Sequence, residues 1–189
     1  MLEYDNSCTF EVRISGEITT KTTVSFEKAL THWDQRHYLF VILNSPGGDI
    51  AAAMKIGRLI RKSPGRTMVE GTATCASACV LLFGAGISRI VFDGGKIGVH
   101  RPALAEAPRE RDMAAVKAAS DQAARALREY AAEMNISERL IDDMLVVPPE
   151  NIRWLSEEDR KSYGLAFLDP CLCRDSNSCI EQKIQNHTG

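Results

Sequence analysis

Residues 38–49 read Tyr-Leu-Phe-Val-Ile-Leu-Asn-Ser-Pro-Gly-Gly-Asp, and this stretch decides the fold class. Its first half is a continuous apolar run that stops before a proline and two glycines, which is typical of a strand buried on both faces. A helix with regularly spaced apolar residues is predicted to follow over residues 50–62. A buried strand, a turn and a helix in this order indicate a parallel α/β fold.

The segments on both sides of this stretch repeat the alternation of strand and helix. Alternating or continuous apolar residues predict further strands, and helical spacing predicts further helices. The predicted strands cover residues 9–15, 67–71, 88–92 and 97–100, and the predicted helices cover 19–33 and 76–83. This order predicts a parallel sheet whose strands are joined by right-handed crossovers.

A different pattern covers the next part of the chain. Residues 109–134 are rich in Ala, Glu, Arg and Lys, with apolar residues roughly in phase, and predict a long amphipathic helix. Because this helix follows the core strands, we expect it to project as an arm or to cover one face. Ser137 is placed to cap a shorter helix that ends near Leu145. We predict one domain over residues 1–169 and a cysteine-containing tail over 170–189.

The composition argues against several classes of function. The chain has 189 residues and a formal net charge of -2, so it lacks a basic footprint, and we expect no nucleic-acid partner. The sequence contains no apolar run of about 18 residues, so we expect no membrane span. The glycine turns do not match a P-loop or a dinucleotide-binding motif, and we expect no cofactor and no metal.

The six cysteines bear on the compartment. Cys171, Cys173 and Cys179 cluster in the polar tail, where they could form a disulfide, bind zinc or remain thiols. A tail disulfide favours an oxidising compartment, so we expect a periplasmic or secreted protein, with the cytoplasm as the alternative. Cys75 and Cys79 lie one helical turn apart in an apolar stretch, and we expect them to be small buried residues without a bridge.

Ser77 lies where a predicted strand and turn give way to an apolar helix. A hydroxyl at a helix start is often an N-cap, and this is the structural interpretation. The catalytic interpretation makes Ser77 a nucleophile at a strand-to-helix turn, with small neighbours that let a substrate carbonyl approach. The backbone amide of Ala78 would then face the developing oxyanion. The local sequence favours neither interpretation.

His100 ends one of the predicted strands, and Pro102 follows it closely. A histidine at a strand end is often a structural residue, and this interpretation stays open. The chain has only four histidines, and the other three lie in polar surroundings. His100 is therefore the best candidate for a general base.

Three short motifs together resemble one known family. They are Asn-Ser-Pro-Gly-Gly at residues 44–48, Ala-Ser at 76–77 and Val-His-Arg-Pro at 99–102. In this order and spacing they resemble the proteolytic subunit of the Clp protease. Further similar segments extend the resemblance to about residues 10–169, namely residues 15–19, 153–156 and 163–166. The Cys-Ala-Ser-Ala-Cys segment also resembles a looser group of exported Clp-like proteins.

The resemblance implies a crotonase-like α/β fold of the Clp type, with stacked βα units and a long projecting helix. It implies a serine peptidase that transfers an acyl group to Ser77, with His100 as the general base. The backbone amides of Gly48 and Ala78 would form the oxyanion hole. The implied substrates are peptides or unfolded polypeptides, and the implied assembly is a homo-oligomer.

The third catalytic residue departs from the family pattern. By the register of the resemblance, the family's acid falls on Ile152, which cannot accept a hydrogen bond. The adjacent Asn151 can accept a hydrogen bond from His100 Nδ1–H through its carbonyl oxygen, as in Cys-His-Asn peptidases, and is our candidate. Glu150 is a further candidate. A site with no third member is the remaining alternative.

The segment after His100 also departs from the family. Residues 103–112 contain no glycine, and Pro108 cannot donate a hydrogen bond to a neighbouring strand. Charged side chains in this segment oppose flat pairing of strands. We therefore expect a homo-oligomer smaller than the double ring of the family. The short segment before Phe10 argues against an ATP-driven unfoldase as a partner.

Three functions remain open at the level of the sequence. The first is a serine peptidase that uses Ser77 and His100. The second is a catalytically weak or inactive binding or scaffold protein on the same fold. The third is an enzyme that acts on acyl-CoA substrates, because the wider crotonase group shares the oxyanion hole made by two amides. Covalent labelling of Ser77 would favour the first function, and stabilisation by coenzyme A would favour the third.

Overall fold

The computed structural model describes residues 9–102 and 113–166, and it confirms the predicted α/β class. Strands and helices alternate along most of this part of the chain. Their bounds, in chain order, are β1 Thr9–Ser15, α1 Thr20–Leu30, β2 Tyr38–Asn44, α2 Ile50–Lys62, β3 Arg66–Val69, β4 Thr74–Ala76, α3 Cys79–Ala85, β5 Ser88–Val91, β6 Lys96–Val99, α4 Met113–Glu133, α5 Arg139–Val146, β7 Arg153–Trp154 and α6 Glu157–Ser162.

The first sheet is parallel and has the strand order β1-β2-β3-β5. Strand β2 is the predicted apolar run, and its residues from Leu39 to Leu43 are at most 7% exposed. Strands β1 and β3 pair with β2 on its two edges. Buried backbone groups need hydrogen-bond partners, and this pairing supplies them to β2. The turn over residues 45–48 therefore follows directly from a central strand of the sheet.

The second sheet has the order β4-β6-β7, with β4 parallel and β7 antiparallel to β6. The predicted helix over residues 76–83 is wrong at its start, because Ala76 ends β4 and α3 begins only at Cys79. Strands of three and two residues show no periodicity, and the sequence therefore predicts neither β4 nor β7. Both exist because they pair with β6.

A backbone bridge connects the two sheets at Ser45, the first residue of the glycine turn. The N–H of Ser45 donates to the carbonyl oxygen of Thr74 at 2.7 Å, and the N–H of Ala76 donates to the carbonyl oxygen of Ser45 at 3.0 Å. The residue that follows β2 is thereby paired with β4. This pairing brings the glycine turn and the Ser77 region side by side.

Side-chain contacts fix the helices against the sheet and against one another. The side chain of Asp49 accepts a hydrogen bond from the N–H of Ala52 at 2.8 Å and so caps α2. Gly57 of α2 makes room for the Tyr130 side chain of α4, since a Cβ atom at residue 57 would clash with its hydroxyl. Tyr130 donates to the carbonyl oxygen of Leu81 at 2.9 Å, which ties α4 to α3.

Helix α4 has one exposed half and one packed half. Residues 115–122 are mostly exposed, whereas Leu127 and Tyr130 are at most 1% exposed. The amphipathic pattern therefore buries the second half and leaves the first half to project, as predicted. Among the helices of the described residues, none combines the length and the apolar composition needed to cross a membrane.

Several predictions fall on residues outside the described ranges. They concern the segment after His100, the segment before Phe10 and the tail, whose residues 103–112, 1–8 and 170–189 lie outside the described ranges.

Candidate active site

Ser77 occupies a sharp turn between β4 and α3. Its φ is +56°, in the left-handed region that costs a residue with a side chain about 1–2 kcal/mol. Its N–H donates to the carbonyl oxygen of Gly98 in β6 at 2.9 Å, which fixes the start of the turn. The residue is partly exposed. The turn therefore presents a hydroxyl from a strained backbone position at the end of a strand.

The interpretation of Ser77 as a helix cap is wrong. The cap position of α3 belongs to Ala78, and no side chain caps this helix. The hydroxyl of Ser77 makes no hydrogen bond with any residue that the structure describes, although its backbone carbonyl accepts from the N–H of Val80 at 3.0 Å. The hydroxyl is therefore not used by the local fold, as a nucleophile requires.

The glycine turn packs against Ser77. Gly47 and Gly48 have φ values of +106° and +141°, which residues with side chains rarely adopt. A Cβ atom on Gly47 would lie 2.6 Å from Ser77 Cβ, 2.8 Å from the carbonyl oxygen of Ala76 and 2.9 Å from the amide nitrogen of Ala78. Only glycine permits this close approach of the two turns.

The amides of Gly48 and Ala78 are the predicted oxyanion hole. Neither N–H donates a hydrogen bond to any residue within the described ranges. The hydrogen bond from the N–H of Ile18 to the carbonyl oxygen of Gly47, at 2.8 Å, holds the glycine turn in place. Two amide N–H groups, one on each of two adjacent turns, can together donate to a negatively charged oxygen.

His100 follows β6 directly, and it is partly exposed like Ser77. Ala76 pairs with Gly98, so His100 lies two residues beyond the same Gly98 that accepts from the N–H of Ser77. The imidazole Nδ1 lies 2.9 Å from the carbonyl oxygen of Arg101. A carbonyl oxygen only accepts, so this bond requires a proton on Nδ1, and in the neutral imidazole Nε2 is then an acceptor. This is the tautomer that a general base needs.

The two candidate catalytic side chains are not joined. Among the described residues, no hydrogen bond connects the hydroxyl of Ser77 with the imidazole of His100. The backbone bond from Ser77 to Gly98 nevertheless keeps their elements in register. The two segments are therefore joined through the backbone of Gly98, whereas the side chains of Ser77 and His100 share no hydrogen bond.

By the register of the family resemblance, the position expected for a third catalytic residue holds an apolar side chain. Trp154 pairs with Gly98 and Arg153 with Val99, so the antiparallel register extended by one residue puts Ile152 opposite His100. Ile152 is 45% exposed. An aliphatic group there cannot accept the Nδ1 proton or stabilise an imidazolium.

The polar candidates for that role lie beside Ile152. Asn151 and Glu150 are both exposed, and neither makes a hydrogen bond to His100 among the described residues. The N–H of Asn151 donates to the carbonyl oxygen of Pro148 at 3.0 Å, which holds its backbone in a turn. A role for Asn151 in catalysis stays a prediction.

The expectation that Cys75 and Cys79 carry no bridge is wrong, because the two residues form a disulfide. Both are fully buried. The expectation treated them as neighbours on one helix, whereas Cys75 belongs to β4 and Cys79 begins α3. The left-handed turn at Ser77 reverses the chain between them. The symmetric spacing of the two cysteines about Ser77 is the sequence signal that could have indicated the bridge.

Besides its pairing with β6, strand β7 is held in place by the side chain of one arginine. Arg153 contacts Asp143 of α5 at 3.1 Å and Asp159 of α6 at 2.9 Å. The pKa of Asp143 lies below its ordinary value, chiefly because the Tyr163 hydroxyl donates to it and also because of the bond from Arg153, while burial opposes the shift. Two helices thereby anchor the strand that faces His100.

Within the described ranges, no group of three or more His, Cys, Asp or Glu residues could hold a metal ion. A family model described as Clp protease matches residues 8–168, a range that includes every candidate site residue. A comparison with curated proteins gives no significant match.

Proposed function

Because the chain belongs to the Clp protease family, we propose that it is a serine peptidase that cleaves peptides or unfolded polypeptides. The family implies a peptidase in general terms. In this proposal the hydroxyl of Ser77 attacks the substrate carbonyl, and His100 takes its proton. The observation that carries the proposal concerns the hydroxyl of Ser77. It does not cap α3, and its residue forms a left-handed turn between a strand and a helix.

The oxyanion forms beside the glycine turn over residues 45–48 and the turn at Ser77. The amides of Gly48 and Ala78 have no acceptor among the described residues and would donate to the developing charge. Loss of one such donor typically costs about 3 kcal/mol of barrier. The close packing of Gly47 on Ser77 supports this role, because it brings the two amide-bearing turns together.

Proton transfer needs one movement of the imidazole. Nε2 of His100 is the acceptor in the tautomer that the bond to the Arg101 carbonyl requires. Catalytic hydrogen bonds are often long without substrate and shorten in the substrate complex. We therefore propose that substrate binding closes the contact between Ser77 Oγ and Nε2. His100 then donates the same proton to the leaving amine.

A fluorophosphonate probe tests the proposal directly. We expect covalent labelling of the native protein at Ser77, as located by peptide mass spectrometry. Ser77→Ala should abolish labelling, and His100→Ala should slow it by at least about a hundredfold. Ser25→Ala and His32→Ala are matched controls, because both residues are exposed and remote from the turn, and both should label like the native protein.

Absence of labelling in the folded native protein would contradict the peptidase proposal. It would favour the second candidate, a catalytically weak or inactive binding protein on the same fold. The observation in favour of this second candidate is Ile152, which stands where a carboxylate would face His100. Loss of a triad acid can reduce turnover by about 10⁴-fold.

We also propose a periplasmic or secreted location. The support is the buried Cys75–Cys79 disulfide, because such bonds form and persist in oxidising compartments. Mass spectrometry of the protein isolated from its native source, with thiols alkylated in denaturant before any reduction, tests this. We expect both residues to be unalkylated, and alkylation of both would contradict the location.

We further propose that the chain forms a homo-oligomer. The support is the projecting half of α4, an alanine-rich helical surface over residues 115–122 that stays mostly exposed. Size-exclusion chromatography with light scattering should give a multiple of the chain mass of 20.8 kDa. A monomer mass at all concentrations would contradict this proposal.

A further inference from the structure

A disulfide encloses the candidate nucleophile. It joins Cys75 to Cys79 across a sequence separation of 4, and Ser77 is the central residue of the loop that it closes. The same residue has the left-handed φ of +56°. A covalent bond and an unfavourable backbone conformation therefore coincide at one position of the chain.

The bond connects the two elements that the turn separates. Cys75 lies in β4, where it pairs with Ile97 of β6, and Cys79 is the first residue of α3. Each element is anchored by the core on its own side. The disulfide fixes the end of β4 close to the start of α3, with 5.2 Å between the two Cα atoms, and so limits the path of the turn between them.

Non-covalent contacts also hold the turn. The N–H of Ser77 donates to the Gly98 carbonyl at 2.9 Å, and the Ser77 carbonyl accepts from Val80 at 3.0 Å. Gly47 packs closely against Ser77, and no side chain caps α3. A residue with a side chain stays in the left-handed region only where its surroundings over-determine it. The disulfide adds a covalent constraint to these contacts.

The environment of the sulfur atoms indicates a permanent bond. Cys75 and Cys79 are both 0% exposed and belong to the main hydrophobic core. Reductants reach such a pair only when the protein opens locally. The bond is therefore a constant part of the folded protein, unlike an exposed disulfide that is readily exchanged.

We propose that the Cys75–Cys79 disulfide positions Ser77 for attack, so that the reactivity of Ser77 depends on this bond. This inference rests on the proposed peptidase function. The disulfide touches no substrate and acts only by holding the backbone of residues 76–78. A disulfide that served only general stability would change the melting temperature and leave the reactivity of folded molecules unchanged.

Reduction of the native protein removes the bond without a mutation. A trialkylphosphine supplies two electrons and breaks the S–S bond. One water gives its oxygen to the phosphine, which becomes the phosphine oxide, and its two protons go to the two new thiols. Alkylation and peptide mass spectrometry then measure how many molecules are reduced at Cys75 and Cys79.

The experiment compares three samples with the fluorophosphonate probe: oxidised protein, reduced protein and the Cys75→Ala/Cys79→Ala variant. We expect the labelling rate at saturating probe to fall by about tenfold in the latter two, which corresponds to about 1.4 kcal/mol. The probe concentration for half-maximal rate should stay the same. Temperature is kept below the melting transition of each sample.

The double variant also controls for the four other cysteines. Reductant should slow the native protein and leave the rate of the variant unchanged. If the variant does not fold, the reduced native protein carries the comparison alone. Hydrogen exchange gives a second readout that does not depend on activity. We expect faster exchange over residues 74–80 in the reduced protein and unchanged exchange in β2 and α2.

Equal labelling rates in oxidised and reduced protein would overturn the inference and leave the peptidase proposal intact. Absence of labelling in every sample would contradict the peptidase proposal itself. In that case the hydrogen-exchange result decides the structural part, and unchanged exchange over residues 74–80 would overturn it as well.

Discussion

At the scale of single residues, His100 has the tautomer of a general base but no carboxylate beside it. Its Nδ1 bonds to the carbonyl oxygen of Arg101 at 2.9 Å. A carbonyl oxygen can orient the ring, but it carries no charge to stabilise the imidazolium that forms during attack. Ile152 occupies the cross-strand position where such a charge would act.

The first prediction is that Ile152→Asp increases the reactivity of Ser77. A carboxylate opposite His100 would accept from Nδ1–H and stabilise the imidazolium, and the exposed position tolerates a polar side chain. We expect the fluorophosphonate labelling rate to rise at least about tenfold, a small part of the roughly 10⁴-fold effect of a triad acid. The rate is measured at neutral pH.

Ile152→Asn is the matched control for this prediction. It has the same size as the aspartate and can accept the hydrogen bond, but it adds no charge. We expect its labelling rate to lie between those of the native protein and Ile152→Asp. An aspartate variant that labels no faster than the native protein would show that His100 does not act as the base.

The second prediction concerns the glycine that contacts Ser77. Gly47→Ala should abolish labelling and destabilise the fold, because its Cβ would lie 2.6 Å from Ser77 Cβ and 2.8 Å from a backbone oxygen. Gly16→Ala is the control, since Gly16 also has a positive φ, +79°, but no atom within 4 Å of an added Cβ. The control should lose only about 1–2 kcal/mol of unfolding free energy and keep its labelling rate.

Denaturant unfolding and the probe assay measure both effects. The clash at Gly47 involves Ser77 Cβ and the backbone, which cannot move without distorting the turn. The loss of unfolding free energy for Gly47→Ala should therefore exceed that for Gly16→Ala. Equal losses, with labelling retained, would mean that the two turns are not in contact.

At the scale of elements, the position of the shortest strand, β7, depends on ion pairs of one of its side chains. Strand β7 has two residues and a single neighbour, β6. Arg153 holds it through Asp143 and Asp159, which lie on two different helices. Because β7 faces the end of β6 that leads to His100, the position of this strand affects the candidate site.

The third prediction is a pH dependence that arises from Asp143. Its pKa is lowered in the folded state by the bond from Tyr163 and then by Arg153. The group therefore stabilises the fold above its ordinary pKa of about 3.9, and this contribution is lost as the pH falls through the folded value. The side chain is 36% exposed, so solvent screening limits the contribution to about 1 kcal/mol or less.

Melting temperatures of the native protein and Asp143→Asn between pH 6 and pH 2.5 test this dependence. We expect the variant to melt lower at pH 6 and the difference to shrink as the pH falls below about 4. Glu129→Gln is the control, an exposed residue of α4 without an ion pair among the described residues. A difference for Asp143→Asn that stays constant with pH would contradict the role of its charge.

At the scale of the whole molecule, a buried arginine joins separate parts of the chain. Arg89 is 6% exposed and donates to the carbonyl oxygens of Gly86 at 3.0 Å, of Met134 at 2.6 Å and of Gly164. These oxygens lie at the ends of α3, α4 and α6. Burial, and then the nearby Arg61, lower the pKa of Arg89 to about 10, so it stays charged at neutral pH.

The fourth prediction is that Arg89→Met destabilises the protein by about 3 kcal/mol or more, because three carbonyl oxygens, two of them in buried residues, lose a charged donor. Chemical denaturation measures the change in unfolding free energy. Arg36→Met is the control, because Arg36 is 86% exposed and pairs only with its exposed neighbour Asp34 among the described residues. Equal stabilities of Arg89→Met and the native protein would contradict this role.

The sequence by itself determined the features whose signals are local. The continuous apolar run predicts the buried strand β2, and helical spacing predicts α2 with its bounds at Ile50 and Lys62. The order of short motifs predicts the family, which the match over residues 8–168 confirms. The same motifs select Ser77 and His100 as candidates, and the small number of histidines supports the choice of His100.

Only the tertiary structure decided the features that depend on distant residues. Strands β4 and β7 form by pairing with β6. The left-handed turn at Ser77 lies between β4 and α3 and connects these two packed elements. The Cys75–Cys79 bridge depends on that reversal of the chain, so spacing alone favours a helix instead. Periodicity within a segment cannot report contacts between segments, and the candidate site is made of such contacts.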